Sequence, residues 1–209
     1  MINQIIKEVE KYLKGRSDSH DIEHCHRVAK IAREVAKDYN KADTEIIIAG
    51  CYLHDVGYTK ASYGHPHCVA GVKIAQDILE KIGYSQDKID KICEIVLHHE
   101  DSKFGIKYQP NLETRIVQDA DAIDGFGAVG LSRFFQFAGS TNMPLWIPSY
   151  KKEPKIIYEN ISIIHNIEAV IKYAGEICTT KLGKKLFKYR LKVMKSFVKE
   201  FKKEWTTQI

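Results

Sequence analysis

The sequence offers little that would indicate a membrane protein or a disulfide scaffold. Its longest apolar run, residues 46–53, is far shorter than the roughly 20 residues that a membrane-spanning helix needs. The 5 cysteines are dispersed without a CxxC pair, which favours reduced thiols in a cytoplasmic protein. Residues 1–14 alternate charged side chains with Ile, Val and Leu, so we expect an amphipathic helix there and no signal peptide.

Alternating strand patterns are also absent, and apolar residues recur at helical spacing along nearly the whole chain. Val28, Ala32 and Val35 follow this period in the second helix, for which Asp18 or Ser19 is the expected N-cap. Together these patterns predict an all-α bundle that ends in an amphipathic helix. Further helices are expected at about 44–55, 66–83, 86–99 and 112–123, after the glycines of 125–130, and at 158–179 and 181–205.

Charge is distributed unevenly along the chain. The net charge is +5, but residues 181–205 contain 10 basic and 2 acidic residues, a net of +8, which leaves −3 for the rest. A helix this basic could contact an anionic partner, or its charges could simply form a solvated face. A nucleic-acid partner and a homodimer are therefore left open, and no membrane association is expected.

A few histidines and acids fall where the helical pattern predicts a buried position. Ile47, Cys51 and His54 share one helix face at i, i+4 and i+7, so His54 should point inward. Asp55 follows it directly at the expected helix end, and His24 lies on the apolar face of the preceding helix. Each histidine alone would be an ordinary core or surface residue, but together they favour a shared site.

Three carboxylates crowd an otherwise apolar helical segment, at Asp119, Asp121 and Asp124. Buried carboxylates are costly unless they are paired or bound to a metal ion. Imidazole together with carboxylate is a typical ligand set for Mn, Fe, Ni, Co or Zn, and not for Ca or a structural thiolate zinc. The sequence therefore predicts a divalent metal centre.

The order His24, His54–Asp55 and Asp121 resembles the H…HD…D signature of the HD superfamily of metal-dependent phosphohydrolases. The local sequences agree, with HDIEHCHRVAKIA at 20–32, AGCYLHDVGY at 49–58 and IVQDADAIDGFGAVGLSR at 116–133. Residues 190–205 also resemble the Arg-x3-Met-x2-Phe-x3-Phe-x2-Glu-Trp helix of the small bacterial and archaeal HD hydrolases. The resemblance implies a single HD domain over 1–209, with a metal-binding core at about 17–135 and C-terminal helices at about 158–205.

This resemblance implies that His24, His54, Asp55 and Asp121 bind a divalent ion, which would be Mn, Ni, Co, Fe, Zn or Mg. Asp121 is preferred to Asp119 because the Ala-Asp-Ala-Ile sequence at 120–123 resembles the A-D-x-L of the family.

Two-metal members of the superfamily carry two more histidines between the HD pair and the last aspartate. His67, followed by Gly71, fits the first of these, and either His98 or His99 fits the second. The His-His-Glu run at 98–100 is not typical of the small-hydrolase subfamily. One ion is therefore expected, and a second is left open.

The resemblance further implies hydrolysis of a small phosphate ester or anhydride, such as a nucleotide, by a metal-activated water. Asp55 would bind the metal and orient that water, and Lys60 would assist catalysis as a nearby cation. Arg27 and Arg133 would hold the phosphate, because a guanidinium can bind it through two parallel hydrogen bonds. The alternatives are surface solvation for Arg27 and Lys60, and a structural salt bridge for Arg133.

Two other functions stay open. Some HD proteins hold a di-iron centre and oxidise a C–H bond, which requires the full set of six ligands. A non-catalytic module for nucleotides or RNA could instead use the basic C-terminal helix, and would show salt-dependent binding without turnover.

Overall fold

The computed structural model describes residues 1–15, 20–59, 66–101, 106–152, 161–175 and 177–207. Within these ranges the regular structure is entirely helical and no strand occurs, which confirms the predicted all-α class. The elements are α1 (Ile2–Leu13), α2 (Ile22–Ala36), α3 (Thr44–Leu53), a 3-10 turn (Val56–Thr59), α4 (Pro66–Ile82), α5 (Gln86–His98), α6 (Leu112–Asp124), α7 (Gly127–Ser140), α8 (Ile163–Tyr173) and α9 (Lys181–Trp205).

The start of α2 differs from the expectation. The side chain of Asp21 accepts a hydrogen bond of 2.8 Å from the backbone N–H of His24, so the helix begins at Ile22. This contact satisfies one of the donors that every helix start leaves unpaired. Asp18 and Ser19, the predicted caps, lie outside the described residues, and that prediction is wrong because Asp21 has taken the role.

The prediction of one helix over residues 158–179 is too long. α8 begins at Ile163, where the Ser162 hydroxyl accepts from the N–H of His165, and it ends at Tyr173. Gly175 follows with a φ of +50°, a left-handed conformation that a continuing helix does not contain. Residues 158–160 and 176 belong to the part of the chain that is not described, whereas α9 spans residues 181–205 as predicted.

The helices enclose two hydrophobic cores. The first extends from α1 to Ala120 of α6, with α2 packed against both α3 and α6 and with α4 packed against α5. The second begins at Ile123 of the same helix and continues through α7, α8 and α9. Each large aliphatic residue that is fully buried, such as Ile47 or Met194, contributes roughly 1.5–3 kcal/mol. The division at residue 135 between a metal-binding core and C-terminal helices stays a prediction.

The longest helix, α9, packs one face on the second core through Phe187, Met194 and Val198. Most of its lysines lie on the exposed side. Among the helices of the described ranges, none combines the length and the apolar character that crossing a membrane would require.

Candidate metal centre

Four side chains from three helical regions converge inside the first core. His24 comes from α2, His54 and Asp55 directly follow α3, and Asp121 comes from α6. The Nε2 atom of His24 lies 3.1 Å from that of His54, and it lies 3.3 Å from both Asp55 Oδ2 and Asp121 Oδ1. All four side chains are buried. The structure therefore brings together the four residues that the sequence predicted as ligands.

The ring nitrogens that face this cluster carry lone pairs, because the opposite nitrogen of each ring is a donor. His24 Nδ1 donates to Asp124 Oδ2 at 2.8 Å, and His54 Nδ1 donates to the Cys51 carbonyl at 2.8 Å. A carboxylate and a carbonyl can only accept, so the neutral rings present acceptors to one another and to the two aspartates. Such a set of acceptors needs a cation at its centre.

The spacing of these atoms fits a divalent ion. Ligand atoms at about 2.0–2.2 Å from a metal lie roughly 3 Å or more from their neighbours around it. The cluster shows 3.1 Å between the two imidazole nitrogens and 3.8 Å between His54 Nε2 and Asp121 Oδ1. The donor set is also the imidazole and carboxylate mixture that binds first-row transition metals.

The close approach of imidazoles and carboxylates shifts the pKa values of the residues in the cluster. Burial lowers the pKa of His24, but hydrogen bonds to Asp121, Asp124 and Asp55 outweigh it and raise that pKa to about 10. For Asp55, burial raises the pKa, but the neighbouring histidines hold it well below its usual range. Without a metal ion, a proton on His24 would therefore occupy the place that the geometry offers to a cation.

A second group of imidazoles lies on the other side of Asp55. Asp55 Oδ1 is 3.5 Å from His67 Nε2 and 3.5 Å from His99 Nε2, and these two nitrogens are 3.2 Å apart. His99 Nδ1 donates to the Val96 carbonyl at 2.9 Å, so its Nε2 is again an acceptor. Asp55 thus presents one oxygen to each group, as a carboxylate that bridges two ions would.

The geometry at the end of α5 determines which of His98 and His99 faces the cluster. His98 Nδ1 lies 2.6 Å from Asp101 Oδ2, and its ring stacks on Tyr108 with centroids 3.7 Å apart. Neighbouring residues on a helix point about 100° apart, so only one of the pair can face the cluster. That residue is His99, and the suggestion of His98 as a ligand does not fit the structure.

Two further potential metal ligands adjoin the second group, and neither was predicted as a ligand from the sequence. Cys68 Sγ lies 3.5 Å from His67 Nε2, and Glu100 Oε2 lies 3.8 Å from the same nitrogen. Together with His67 and His99 they form a buried set of four donors whose ligand atoms all lie within 4.8 Å of one another. Their sequence adjacency to the two histidines was the available signal.

The position of His67 depends on a close backbone contact. A Cβ atom on Gly57 would collide with the His67 carbonyl and the Gly71 amide, so only glycine lets the 3-10 turn touch α4. The same turn places the Tyr58 ring flat on the His67 ring, with centroids 3.8 Å apart. This contact fixes His67 beside Asp55.

The two arginines predicted to hold phosphate both bind Asp124. Arg27 donates from Nε to Oδ1 at 2.8 Å and from an Nη to Oδ2 at 3.0 Å, and Arg133 donates to Oδ2 at 2.9 Å. Burial raises the pKa of Asp124, but hydrogen bonds from His24 and Arg27 lower it to about 2. The salt-bridge alternative for Arg133 is therefore present in the structure, and the phosphate role of both arginines stays a prediction.

Asp119 is occupied elsewhere, which agrees with the choice of Asp121 as the ligand. Its carboxylate accepts from the N–H groups of Thr179 and Thr180, both at 2.8 Å, and from the Thr180 hydroxyl at 2.5 Å. Thr180 is the N-cap of α9. Asp119 therefore ties α6 to the start of α9.

His20 is a third residue that was not predicted as part of the site. Its Nδ1 donates to Asp55 Oδ2 at 2.7 Å, and the spacing of four residues from His24 was the signal that could have found it. Burial lowers the pKa of His20, although Asp55 raises it. Lys60, the predicted catalytic cation, lies outside the described residues.

Fold and site thus define an all-α protein whose first core holds a histidine and aspartate centre suited to a divalent metal. The family model described as HD domain matches residues 21–125. The YpgQ protein of Bacillus subtilis (strain 168) is 32% identical over 146 residues, which cover 68% of this chain and 69% of YpgQ. The chain therefore belongs to the HD domain family.

Solved structures agree with this assignment at the level of the fold. A crystal structure from Lactobacillus plantarum superposes with a TM-score of 0.80 at 25% identity, covering 99% of this chain and 97% of the other. An HD-superfamily hydrolase from Bacillus thuringiensis gives a TM-score of 0.76 at 24% identity, with coverages of 99% and 97%. The complex of YpgQ with ADP gives 0.72 at 22% identity, with coverages of 98% and 97%.

Proposed function

We propose that this protein is a metal-dependent phosphohydrolase acting on a nucleotide or another small phosphate ester or anhydride. The observation that carries the proposal is the buried, acceptor-only quartet of His24, His54, Asp55 and Asp121. These residues would hold the first divalent ion, and Mn, Ni, Co, Fe, Zn and Mg are the candidates. His67 and His99 would hold a second ion, with Asp55 shared between the two.

A bound divalent ion lowers the pKa of water from about 15.7 toward 7 and neutralises charge on a phosphoryl oxygen. The side chains around the site fix its geometry. Asp124 accepts from His24 Nδ1 and so keeps the tautomer whose Nε2 faces the cluster. His20 donates to Asp55 Oδ2, which orients the carboxylate that would position the attacking water.

The arginines would supply the positive charge that a phosphate needs. Arg27 and Arg133 together carry one charge more than Asp124 cancels. Arg133 is the better candidate, because its charge lowers the pKa of both His20 and His24 and therefore reaches the site. The Arg133 side chain is 16% exposed, which leaves it partly accessible to a substrate, and Arg27, at 35%, is the more exposed of the two. Catalytic assistance by Lys60 remains part of the proposal.

A nucleotide is the preferred substrate class within this proposal. The relative YpgQ, which is 32% identical to this chain over 146 residues, has a structure in complex with ADP. A nucleoside polyphosphate would also offer the charge density that the ion and Arg133 could neutralise.

The test is a panel of nucleoside mono-, di- and triphosphates and simple phosphate esters, assayed for phosphate or pyrophosphate release after chelation and reloading with each candidate metal. His54→Ala and Asp55→Ala should each lower turnover by about 1000-fold or more while helical content is retained. His98→Ala is the matched control, because its ring lies outside the cluster. Wild-type turnover in the Asp55 variant would show that the site assignment is wrong.

A di-iron oxygenase is the second candidate, and one observation favours it. Asp55 stands between two pairs of imidazoles, so all six ligands that such a centre requires lie together. Iron content and an electron-paramagnetic signal of a mixed-valent pair would support this candidate, whereas phosphate release with Mn or Ni would support the hydrolase. His67→Ala should reduce the metal content from two ions to one if both sites fill.

A further inference from the structure

The exposed side of α9 carries a continuous row of lysines. Its members follow one another at alternating steps of four and three residues, which is the spacing of a single helix face. Six of them are exposed and the last, Lys202, is half-buried. At 1.5 Å per residue the row extends over roughly 30 Å. The lysine row consists of Lys181, Lys185, Lys188, Lys192, Lys195, Lys199 and Lys202.

This row does not serve the stability of the helix. Like charges at i,i+3 or i,i+4 cost about 0.2–0.5 kcal/mol per pair, and the row contains six such pairs in succession. Within the described part of the chain, only Lys202 of the row has a carboxylate partner, Glu168 at 2.5 Å. Glu200 and Glu204, the acids of α9, lie off the row. The arrangement therefore needs an explanation other than intrahelical pairing.

One end of the row opens into a groove between α9, α8 and residues 146–152. The groove has a volume of about 640 Å³, and Trp146, Tyr150 and Tyr173 contribute aromatic rings to it. Glu168 is the one carboxylate among the described residues that line it. Six lysines line the groove, and three of them are the last members of the row. These six are Lys151, Lys152, Lys172, Lys195, Lys199 and Lys202.

Aromatic rings are also exposed beside the lysines. Tyr173 is 50% exposed, and Tyr189, which lies one helical turn from both Lys185 and Lys192, is 68% exposed. A ring left open to solvent next to a cation can stack on a flat aromatic group of a ligand. Lys172 Nζ lies 5.4 Å from the centroid of the Tyr173 ring and covers one of its faces. The surface thus combines evenly spaced positive charge with aromatic rings that are at least half exposed.

We propose that the lysine row and this groove bind single-stranded nucleic acid. Lysines along a track neutralise successive backbone phosphates, and exposed rings stack the bases, which is how proteins hold single strands without reading their sequence. A duplex keeps its bases stacked inside and would leave the rings unused. A membrane-binding helix turns apolar residues outward, whereas Phe187, Met194 and Val198 of α9 are buried in the second core.

The test is fluorescence anisotropy with a labelled 16-nucleotide oligouridylate and the full chain, titrated between 50 and 200 mM salt. If about five phosphates are contacted, the logarithm of the affinity should fall with the logarithm of salt with a slope of about −3.5. The triple charge reversal Lys188→Glu, Lys192→Glu and Lys195→Glu should lower affinity at least 10-fold and reduce that slope by about 2.

The matched control changes three exposed lysines on the surface around the first core to glutamate, and so alters the net charge equally. These are Lys7, Lys30 and Lys41. It should keep most of the affinity. Tyr173→Ala should lower affinity by roughly 5-fold or more, because stacking on one ring contributes that much per base. Circular dichroism checks that every variant remains helical.

Three outcomes would overturn the proposal. The first is absence of single-strand binding at 50 mM salt, and the second is an equal loss in the two triple variants, which would show net charge alone. The third is preference for another polyanion: a 16-base-pair duplex bound as tightly and unaffected by Tyr173→Ala, or phosphatidylserine vesicles bound more tightly than the oligonucleotide. The proposal does not rest on hydrolase activity, so it stands or fails independently of the metal centre.

Discussion

The two cores differ in what they bury. The first encloses imidazoles and carboxylates, with His24, His54, Asp55, His67 and His99 all withdrawn from solvent. The second, from Ile123 to Val198, is built mainly of aliphatic and aromatic side chains. Burying charged groups costs several kcal/mol, so the first core gives up stability that a bound cation would restore, whereas the apolar interior of the second core contributes stability. The candidate metal centre and the apolar interior that supports it are thus separated along the chain, and they meet in α6.

The largest expected effect contrasts two aspartates of that helix. Asp119→Ala should lower the free energy of unfolding by about 3–5 kcal/mol, because it leaves the buried donors of Thr179 and Thr180 without an acceptor. Asp121→Ala should abolish metal-dependent activity but change the stability of the metal-free protein by about 1 kcal/mol at most, since Asp55 and Asp124 still face His24. Urea unfolding in chelator and a turnover assay measure the two effects.

The contrast would break if the roles were reversed. An Asp119 variant that is as stable as the wild type, or an Asp121 variant that unfolds readily yet turns over, would show that the support and the site cannot be separated as the geometry indicates. Thr180→Ala offers a milder control on the same link, because it removes the hydroxyl but keeps the backbone donor.

The next effect concerns the residue that joins the site to its support. Asp124→Asn should weaken metal binding by about 10- to 100-fold, because an amide holds His24 and the two arginines less firmly than a carboxylate. Titration calorimetry with Mn²⁺ measures the change, and Asp87→Asn, an exposed carboxylate paired with Lys91, is the control. If both variants bound Mn²⁺ with the same affinity, Asp124 would have no role in holding the metal ligands.

The same carboxylate sets an acid dependence. Its pKa is lowered to about 2 in the folded protein. Its contribution to stability, about 2 kcal/mol, should be complete above about pH 4 and should be lost as the pH falls toward 2. Asp124→Asn should therefore flatten the stability curve between those pH values. An unchanged curve would assign the acid dependence to other carboxylates.

His24 and His54 could be predicted because each falls on an inward helical position among apolar neighbours, where a lone polar group would be costly, and Asp55 follows directly at the helix end. Asp121 could not be told from Asp119 and Asp124 by periodicity, and its choice came from the resemblance of residues 120–123 to the A-D-x-L of the HD superfamily. Which of His98 and His99 faces the site could not be predicted, since it depends on the direction in which the last residues of α5 point. The partner of Arg27 could not be predicted either, because Asp124 lies 97 residues away and only the packing of α2 on α6 brings the two residues together. Local periodicity reports which face is buried, but not which buried group receives a given side chain.

The smallest expected effect tests whether the lysine row is a cost to the second region. Lys192→Gln removes two like-charge pairs, with Lys188 and Lys195, and leaves helix propensity nearly unchanged. The free energy of unfolding should therefore rise by about 0.5–1 kcal/mol at low salt. At high salt the gain should shrink, because exposed charges are screened within a few ångströms. Urea unfolding at both salt concentrations gives the answer, with Lys7→Gln as the control, because exposed Lys7 has one unlike neighbour, Glu10, and one like neighbour, Lys11, on its helix. A gain that persists at high salt would have a cause other than charge, and no gain at all would mean that the row is tolerated without cost, which removes one reason to expect that it serves a ligand.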